Sequence, residues 1–123
     1  MTDDKQAAEL LDEFGLTHLL SRYSMDGKRF IWSDLLSIGE QQRLMMVTAF
    51  LVGTDTIRLF ILDEITSACD KKTEETIYQH LQQSNVQFVS ISHRKEIKKY
   101  HSRQMIIENG HALFPIPPLK TYF

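Results

Sequence analysis

Four consecutive apolar residues, Leu59-Phe60-Ile61-Leu62, run directly into two carboxylates, Asp63-Glu64. An unbroken apolar run of this length reads as a strand covered on both faces, as in a parallel sheet. A second run from Val86 to Ser92 follows one helical pattern later. Strand, helix, strand in that order predicts two parallel strands whose carboxyl ends share one rim. Asp63-Glu64 and Ser92-His93 fall at those two ends.

The remaining pattern is mostly helical. Thr2 or Asp3 caps a first segment in which Ala7, Leu10, Leu11 and Phe14 recur at helical spacing until Gly15 interrupts. A short helix from Thr17 follows, with Leu19, Leu20 and Tyr23 on one side. Met25-Asp26-Gly27-Lys28 reads as a turn. From Glu40 to about Val52 a helix places Leu44, Val47, Thr48 and Leu51 on one face, and Gly53-Thr54-Asp55 ends it. Asp70 caps a helix with Glu74 and Glu75 in its first turns and a buried stripe of Ile77, Tyr78 and Leu81. Another short helix spans Lys95 to Tyr100. Gln104 to Glu108 and His111 to Phe114 flank Asn109-Gly110, a strong hairpin signal. Pro115, Pro117 and Pro118 close the regular structure.

The expected class is therefore α/β, with a small, mostly parallel sheet, a C-terminal hairpin and an N-terminal helical segment. So narrow a sheet has an exposed edge, which proteins usually avoid, and the fold asks for more strands than these residues supply. Marginal stability and association through apolar surface follow as expectations.

At 123 residues and 42% hydrophobic, the chain can build one modest core and not two. Fourteen basic against sixteen acidic side chains leave a net charge of -2. That supplies no basic field, so no nucleic-acid partner is expected. The cluster Arg94, Lys95, Lys98, Lys99 and Arg103, mixed with Glu96, reads as a solvated helix face. A single cysteine, Cys69, excludes an internal disulfide and fits a reducing compartment. The opening Thr2-Asp3-Asp4-Lys5 gives no expectation of a secretory leader. The run Leu44–Val52 is far shorter than the ~20 residues of a membrane-spanning helix. No internal repeat is visible.

Several residues carry candidate chemistry. Beyond a strand end, Asp63 can hold Mg²⁺, and Glu64 can orient and deprotonate a water; the bland alternative is a polar turn. His93, 29 positions after Glu64 on the adjacent strand, can reach the same rim or be structural. His18, His80, His101 and His111 read as structural. Ser37-Ile38-Gly39 precedes the helix at Glu40, so a hydroxyl, backbone N–H groups and the positive helix end could bind an anion. A plain serine cap with Glu40 in the first turn is the alternative.

Taken together, these stretches resemble the ATP-binding cassette (ABC) ATPase domain. Leu36-Ser37-Ile38-Gly39-Glu40-Gln41-Gln42-Arg43 resembles its signature motif, and Leu59 to Glu64 its Walker B strand with the catalytic glutamate. Ser67-Ala68-Cys69-Asp70 resembles the D-loop, and His93 the switch histidine. The similarity runs from Asp3 to Phe114. A finer resemblance is to the peroxisomal fatty-acyl half-transporters of subfamily D and their bacterial counterparts. It is carried by Trp32-Ser33-Asp34-Leu35-Leu36-Ser37, by Ser90-Ile91-Ser92-His93-Arg94 and by Lys99-Tyr100-His101.

The resemblance implies the carboxy-terminal part of a P-loop NTPase domain. Residues 1–52 would form the helical subdomain segment with the signature, 53–114 the ATPase core, and 115–123 a tail. Glu64 and His93 would be catalytic, Asp63 would hold Mg²⁺, and Ser37, Gly39, Glu40 and Asp70 would contact ATP shared at a dimer interface. Ile38 replaces the usual second glycine of the signature, and Cys69 the usual leucine of the D-loop. More consequential, no Gly-x-x-x-x-Gly-Lys-[Ser/Thr] run occurs in the 123 residues, and neither a Q-loop, an adenine-stacking aromatic nor a transmembrane domain is present.

Three functions fit that pattern. The chain could be the carboxy-terminal half of an ABC transporter ATPase that needs a Walker A-bearing segment. It could be a non-catalytic module docking on a complete cassette, or a fragment of a DNA-maintenance ABC ATPase. The last usually carries coiled-coil arms, and no sustained heptad pattern occurs here. Complemented, the chain would work at the cytosolic face of a membrane, peroxisomal or bacterial inner by resemblance, reached only through an absent transmembrane domain. Otherwise it would be cytoplasmic.

Overall fold

A computed structural model describes residues 2–22 and 35–114. They divide into two compact units, Met1–Ile91 and Ser92–Phe123. The expected helix end at Tyr23, the turn Met25–Lys28, the stretch Trp32-Ser33-Asp34 and the prolines Pro115, Pro117 and Pro118 lie outside the described residues.

The first unit contains α1 (Thr2–Glu13), α2 (Thr17–Arg22), α3 (Ile38–Val52), β1 (Leu59–Asp63), α4 (Lys71–Gln83) and β2 (Gln87–Ile91). Gly15 breaks the N-terminal helical run at φ +72, a left-handed value that glycine adopts without penalty. A Cβ there would also meet the Thr73 methyl at 3.2 Å, so conformation and space both favour glycine. Phe14, Leu16, Ile77, Tyr78 and Leu81 are almost fully buried. The ring of Phe50 stands 5.8 Å from Phe14, 5.9 Å from Phe60 and 5.7 Å from His80, an aromatic cluster joining α3, α4 and the turn after α1 to β1. His80 Nε2 also lies 2.5 Å from Glu13 Oε2, linking α4 to α1.

β1 and β2 pair in parallel, from Leu59 opposite Gln87 to Asp63 opposite Ile91. α4 makes the crossover that parallel strands require. Tyr78 of α4 packs tilted against Phe88, ring centroids 6.0 Å apart, and bonds the Ser90 hydroxyl at 3.0 Å, seating the helix on one face of the sheet. The other face corrects the expectation of two-sided burial. Leu59, Ile61, Val89 and Ile91 expose 45%, 66%, 48% and 52% of their surface. The apolar run anticipates a second covering layer that the described residues do not supply.

A second correction concerns α3. Its buried residues are Arg43, Met46 and Val47, whereas Thr48 and Leu51 of the expected stripe are exposed. The buried Arg43 donates from Nη1 to the Ile65 carbonyl at 2.7 Å and fixes the helix's rotation. Thr48 satisfies its own hydroxyl on the Leu44 carbonyl at 3.0 Å and requires no partner elsewhere.

The second unit holds a 3₁₀ turn (Lys95–Tyr100) with Ile97 buried, then β3 (Ile106–Glu108) and β4 (His111–Leu113). These strands pair antiparallel, with Glu108 opposite His111. Asn109 and Gly110 have φ +51 and +76, the two positive values a tight hairpin turn requires. His101 donates from Nδ1 to the Ile97 carbonyl at 2.8 Å, and burial pushes its pKa below the ordinary value.

Candidate functional site at the head of α3 and the end of β1

Ser37 adopts extended dihedrals and caps α3. Its Oγ accepts the Glu40 N–H at 3.2 Å, and Glu40 Oε1 accepts the Ser37 N–H at 3.0 Å, closing a capping box. The second Glu40 oxygen lies 2.5 Å from His18 Nε2 on α2. The Ser37 backbone bond is the main cause that holds the Glu40 carboxyl below its ordinary pKa. Both oxygens of Glu40 thus serve the turn itself. The serine hydroxyl keeps its proton for donation, and helix geometry leaves the N–H groups of Ile38 and Gly39 without intrahelical acceptors. Together with the positive helix end, they can face an anion.

Gly39 sits where the helix meets the end of β1. A Cβ at this position would lie 3.3 Å from Arg43 Nη1, 3.6 Å from the Ile65 carbonyl and 3.9 Å from that of Glu64. The glycine therefore serves close packing of helix against strand end. One turn further on, Gln42 donates Nε2 to the Asp63 carbonyl and accepts the Asp63 N–H on Oε1, both at 3.2 Å.

Asp63 ends β1 with its side chain exposed. Glu64, next in line, has φ +53, uncommon for a residue with a Cβ. Its N–H donates to the Ile91 carbonyl at 2.9 Å, and its own carbonyl accepts from the Ser67 N–H at 3.3 Å and hydroxyl at 3.0 Å. Such strained backbone persists only where its surroundings fix it, often at working sites. The left-handed backbone at Glu64 breaks the strand geometry that Asp63 still follows.

Ser37, Gly39, Glu40, Asp63 and Glu64 are thus brought to one place. Asp70 lies at the head of α4, where its carboxylate accepts the Thr73 N–H at 2.8 Å; bonding to Thr73 lowers its pKa. His93 belongs to the second unit, exposed, two positions beyond Ile91. Sequence reasoning missed the parts played by His18, Gln42 and Arg43. Gln42 and Arg43 follow Gly39 by three and four positions, and so share its helix face, which was a usable signal. His18 gave none, being 22 residues from Glu40.

No protein-family model matches the chain. Individual relatives do. The chain is 35% identical over 109 residues to "ABC transporter D family member 2, chloroplastic" of Arabidopsis thaliana, covering 89% of this sequence and 15% of that protein. It is 32% identical over 121 residues to an uncharacterized ABC transporter ATP-binding protein of Synechocystis, covering 98% and 18%. It is 33% identical over 102 residues to the human lysosomal cobalamin transporter ABCD4, covering 81% and 16%. The chain therefore spans less than a fifth of the length of these curated relatives. Matched across most of its own sequence to plant, bacterial and human proteins of one kind, the chain belongs to the ABC transporter family, near its D subfamily.

Proposed function

We propose that the chain is the carboxy-terminal part of an ABC nucleotide-binding domain, contributing to ATP binding and to hydrolysis coupled to transport. The observation that carries this reading is the packing of the Ser37–Gly39 turn against the strand end bearing Asp63 and Glu64. The turn would meet the phosphates of an ATP held by a partner cassette. Asp63, Glu64 and His93 would face the chain's own nucleotide seat, which a Walker A-bearing segment must complete, with Glu64 orienting the attacking water and Asp70 contacting ATP, as the family resemblance implies. Residues 1–52 would then be helical-subdomain sequence and 53–114 ATPase core.

Among the described residues no three ligating side chains converge on a metal position. Mg²⁺ in phosphate sites is bound through one or two carboxylates, completed by water and phosphate oxygens, so the single exposed carboxylate of Asp63 fits it. When bound, the ion would neutralise developing phosphate charge. The chain's own share would be to hold Asp63 and Glu64 at fixed directions.

Positioning and charge neutralisation make up nearly all of phosphoryl-transfer catalysis. These residues contain no phosphate-cradling loop or its lysine, so hydrolysis requires a Walker A-bearing segment or partner. Among the described residues no helix is long and apolar enough to cross a membrane, so the membrane would be reached through transmembrane segments beyond this sequence. The relatives' names place one protein in chloroplasts and another in lysosomes as a cobalamin transporter.

The test is direct. The purified chain should not turn over ATP, and it should bind a complete subfamily D cassette through the Ser37 turn, binding that Ser37→Arg weakens. ATP hydrolysis by the chain alone, lost in Glu64→Gln, would overturn the need for a partner. Cassette binding and partner turnover both unaffected by Ser37→Arg would overturn the role of the turn.

A further inference from the structure

Helix α3 grips the end of β1 through two consecutive side chains. Gln42 gives both halves of its amide to Asp63, donor to carbonyl and acceptor to N–H, each at 3.2 Å. A neighbouring strand would offer the same kinds of bond, so this side chain stands in for one rung of a ladder. Arg43, next along, donates Nη1 to the Ile65 carbonyl at 2.7 Å with only 5% of the residue exposed. Between the two gripped residues lies Glu64, in its left-handed conformation. Gly39 packs within 4 Å of the carbonyls of Glu64 and Ile65, counted from where its Cβ would stand.

We infer that Gln42 and Arg43 are positioning residues that clamp the residues on either side of Glu64 to α3, so that the direction of the Glu64 carboxylate is tied to the turn Ser37–Gly39 at the head of the same helix. A left-handed non-glycine residue relaxes unless both its neighbours are held. β2 holds the Glu64 N–H and Ser67 its carbonyl. Those bonds hold each peptide unit flanking Glu64 at one end; Gln42 grips the other end of the Asp63–Glu64 unit, and Arg43 fixes the Ile65 carbonyl in the unit that follows. Gly39 and Arg43 are about 6 Å apart along the helix, a single turn. A displacement of the turn by an incoming anion is therefore carried to Glu64 and not absorbed by bending. The clamp stands independently of the nucleotide reading, and only its coupling to an anion rests on it.

The experiment uses the full chain, isotopically labelled and without ligand. In Gln42→Ala, amide hydrogen exchange at Asp63 should accelerate tenfold or more after correction for intrinsic rates. The Glu64 Cα and Cβ shifts should move off left-handed values, while Ile77 and Leu81 amides keep their protection. Gln42→Glu supplies the readout that a filler of space would not move. As a carboxylate it still accepts the Asp63 N–H but loses the donor and confronts the Asp63 carbonyl; protonated, it regains a donor to that carbonyl. The Asp63 carbonyl-carbon shift should return toward its wild-type value in this variant as pH falls, a profile absent from the wild type. Arg43→Lys, which retains a donor, should keep the Glu64 shifts within the left-handed range. Asp63 exchange within twofold of wild type in Gln42→Ala, or a flat profile in Gln42→Glu, overturns the clamp. Should Gln42→Ala lose the Ile77 and Leu81 protection, the Gln42→Glu profile decides.

A complete subfamily D cassette loaded with Mg·ATP is then added to labelled wild type and Gln42→Ala. Coupling predicts shifts at Ser37–Gly39 and at Glu64–Ile65 in the wild type, and only the former in the variant. Shifts confined to Ser37–Gly39 in the wild type overturn the coupling. No shift at Ser37–Gly39 overturns the nucleotide reading, while the exchange data still judge the clamp.

Discussion

His18 of α2 reaches the Glu40 carboxylate at 2.5 Å while the other oxygen of that group closes the cap on Ser37. The turn that heads α3 is therefore formed before any ligand arrives, held from the helix behind it and by the helix it starts. Preorganisation of this sort reduces the ordering cost of binding.

Removing the cap hydroxyl should loosen that turn without unfolding the chain. Ser37→Ala is expected to cost about 1 kcal/mol, the usual worth of a serine N-cap, and Ser37→Asp to recover most of it. Urea titration gives the magnitude. Amide exchange at Ile38 to Gln41, faster in the alanine variant alone, shows that the loss is local.

Acid should act on the two units at different pH. Glu40 is held below its ordinary 4.5, first by the Ser37 backbone bond, and Asp70 below 3.8 by Thr73. Each folded-state value lies below the unfolded one, so the stability each contributes is present above the ordinary value and lost as pH falls through the folded one. His101 is lowered from 6.5 by burial and carries the same sign in a higher window. Residues around Ile97 and His101 should therefore lose exchange protection progressively below about pH 6.5, where the unfolded-state histidine takes up a proton that the buried one resists. The α3 cap should follow only below pH 4.5, and the α4 cap only below 3.8. Simultaneous loss, or the reverse order, would contradict the assignment.

Glu64 offers a test of strain. At φ +53 a side chain costs conformational energy that glycine does not incur. Glu64→Gly should raise unfolding stability by roughly 1 kcal/mol while removing the carboxylate. A loss of stability in urea would mean that contacts of the glutamate side chain, and not its neighbours, fix this backbone.

The open face of the sheet should make the chain associate. Ile61 exposes 66% of its surface beside Leu59, Val89 and Ile91. Ile61→Lys is expected to leave stability within about 0.5 kcal/mol, as exposed positions do. It should reduce concentration-dependent sedimentation. Equal association of both proteins would direct attention to the sheet edge instead.

What could be read in the amino-acid order was whatever local chemistry decides. Asn109-Gly110 announced its hairpin because few other pairs accept two positive φ values. Asp70 with Ile77, Tyr78 and Leu81 announced α4, because cap and stripe lie within one helix. Parallel pairing of β1 with β2 followed from the intervening crossover. The stripe on α3 was misjudged because an arginine reads as outward-facing, yet Arg43 is buried on a carbonyl more than twenty residues away. Coverage of β1 was misjudged because its apolar run reflects surroundings that the described residues do not supply. At the site, Ser37, Gly39, Asp63 and Glu64 were legible by type and order. Their fastening by His18, Gln42 and Arg43 was not, because side-chain reach across the fold leaves no local trace.

The bare face of the two-stranded sheet also bears on how long such a polypeptide would survive in a cell. Four aliphatic side chains standing in water are what chaperones and proteases capture, so wherever this segment stands uncovered its abundance would track the supply of whatever shields them.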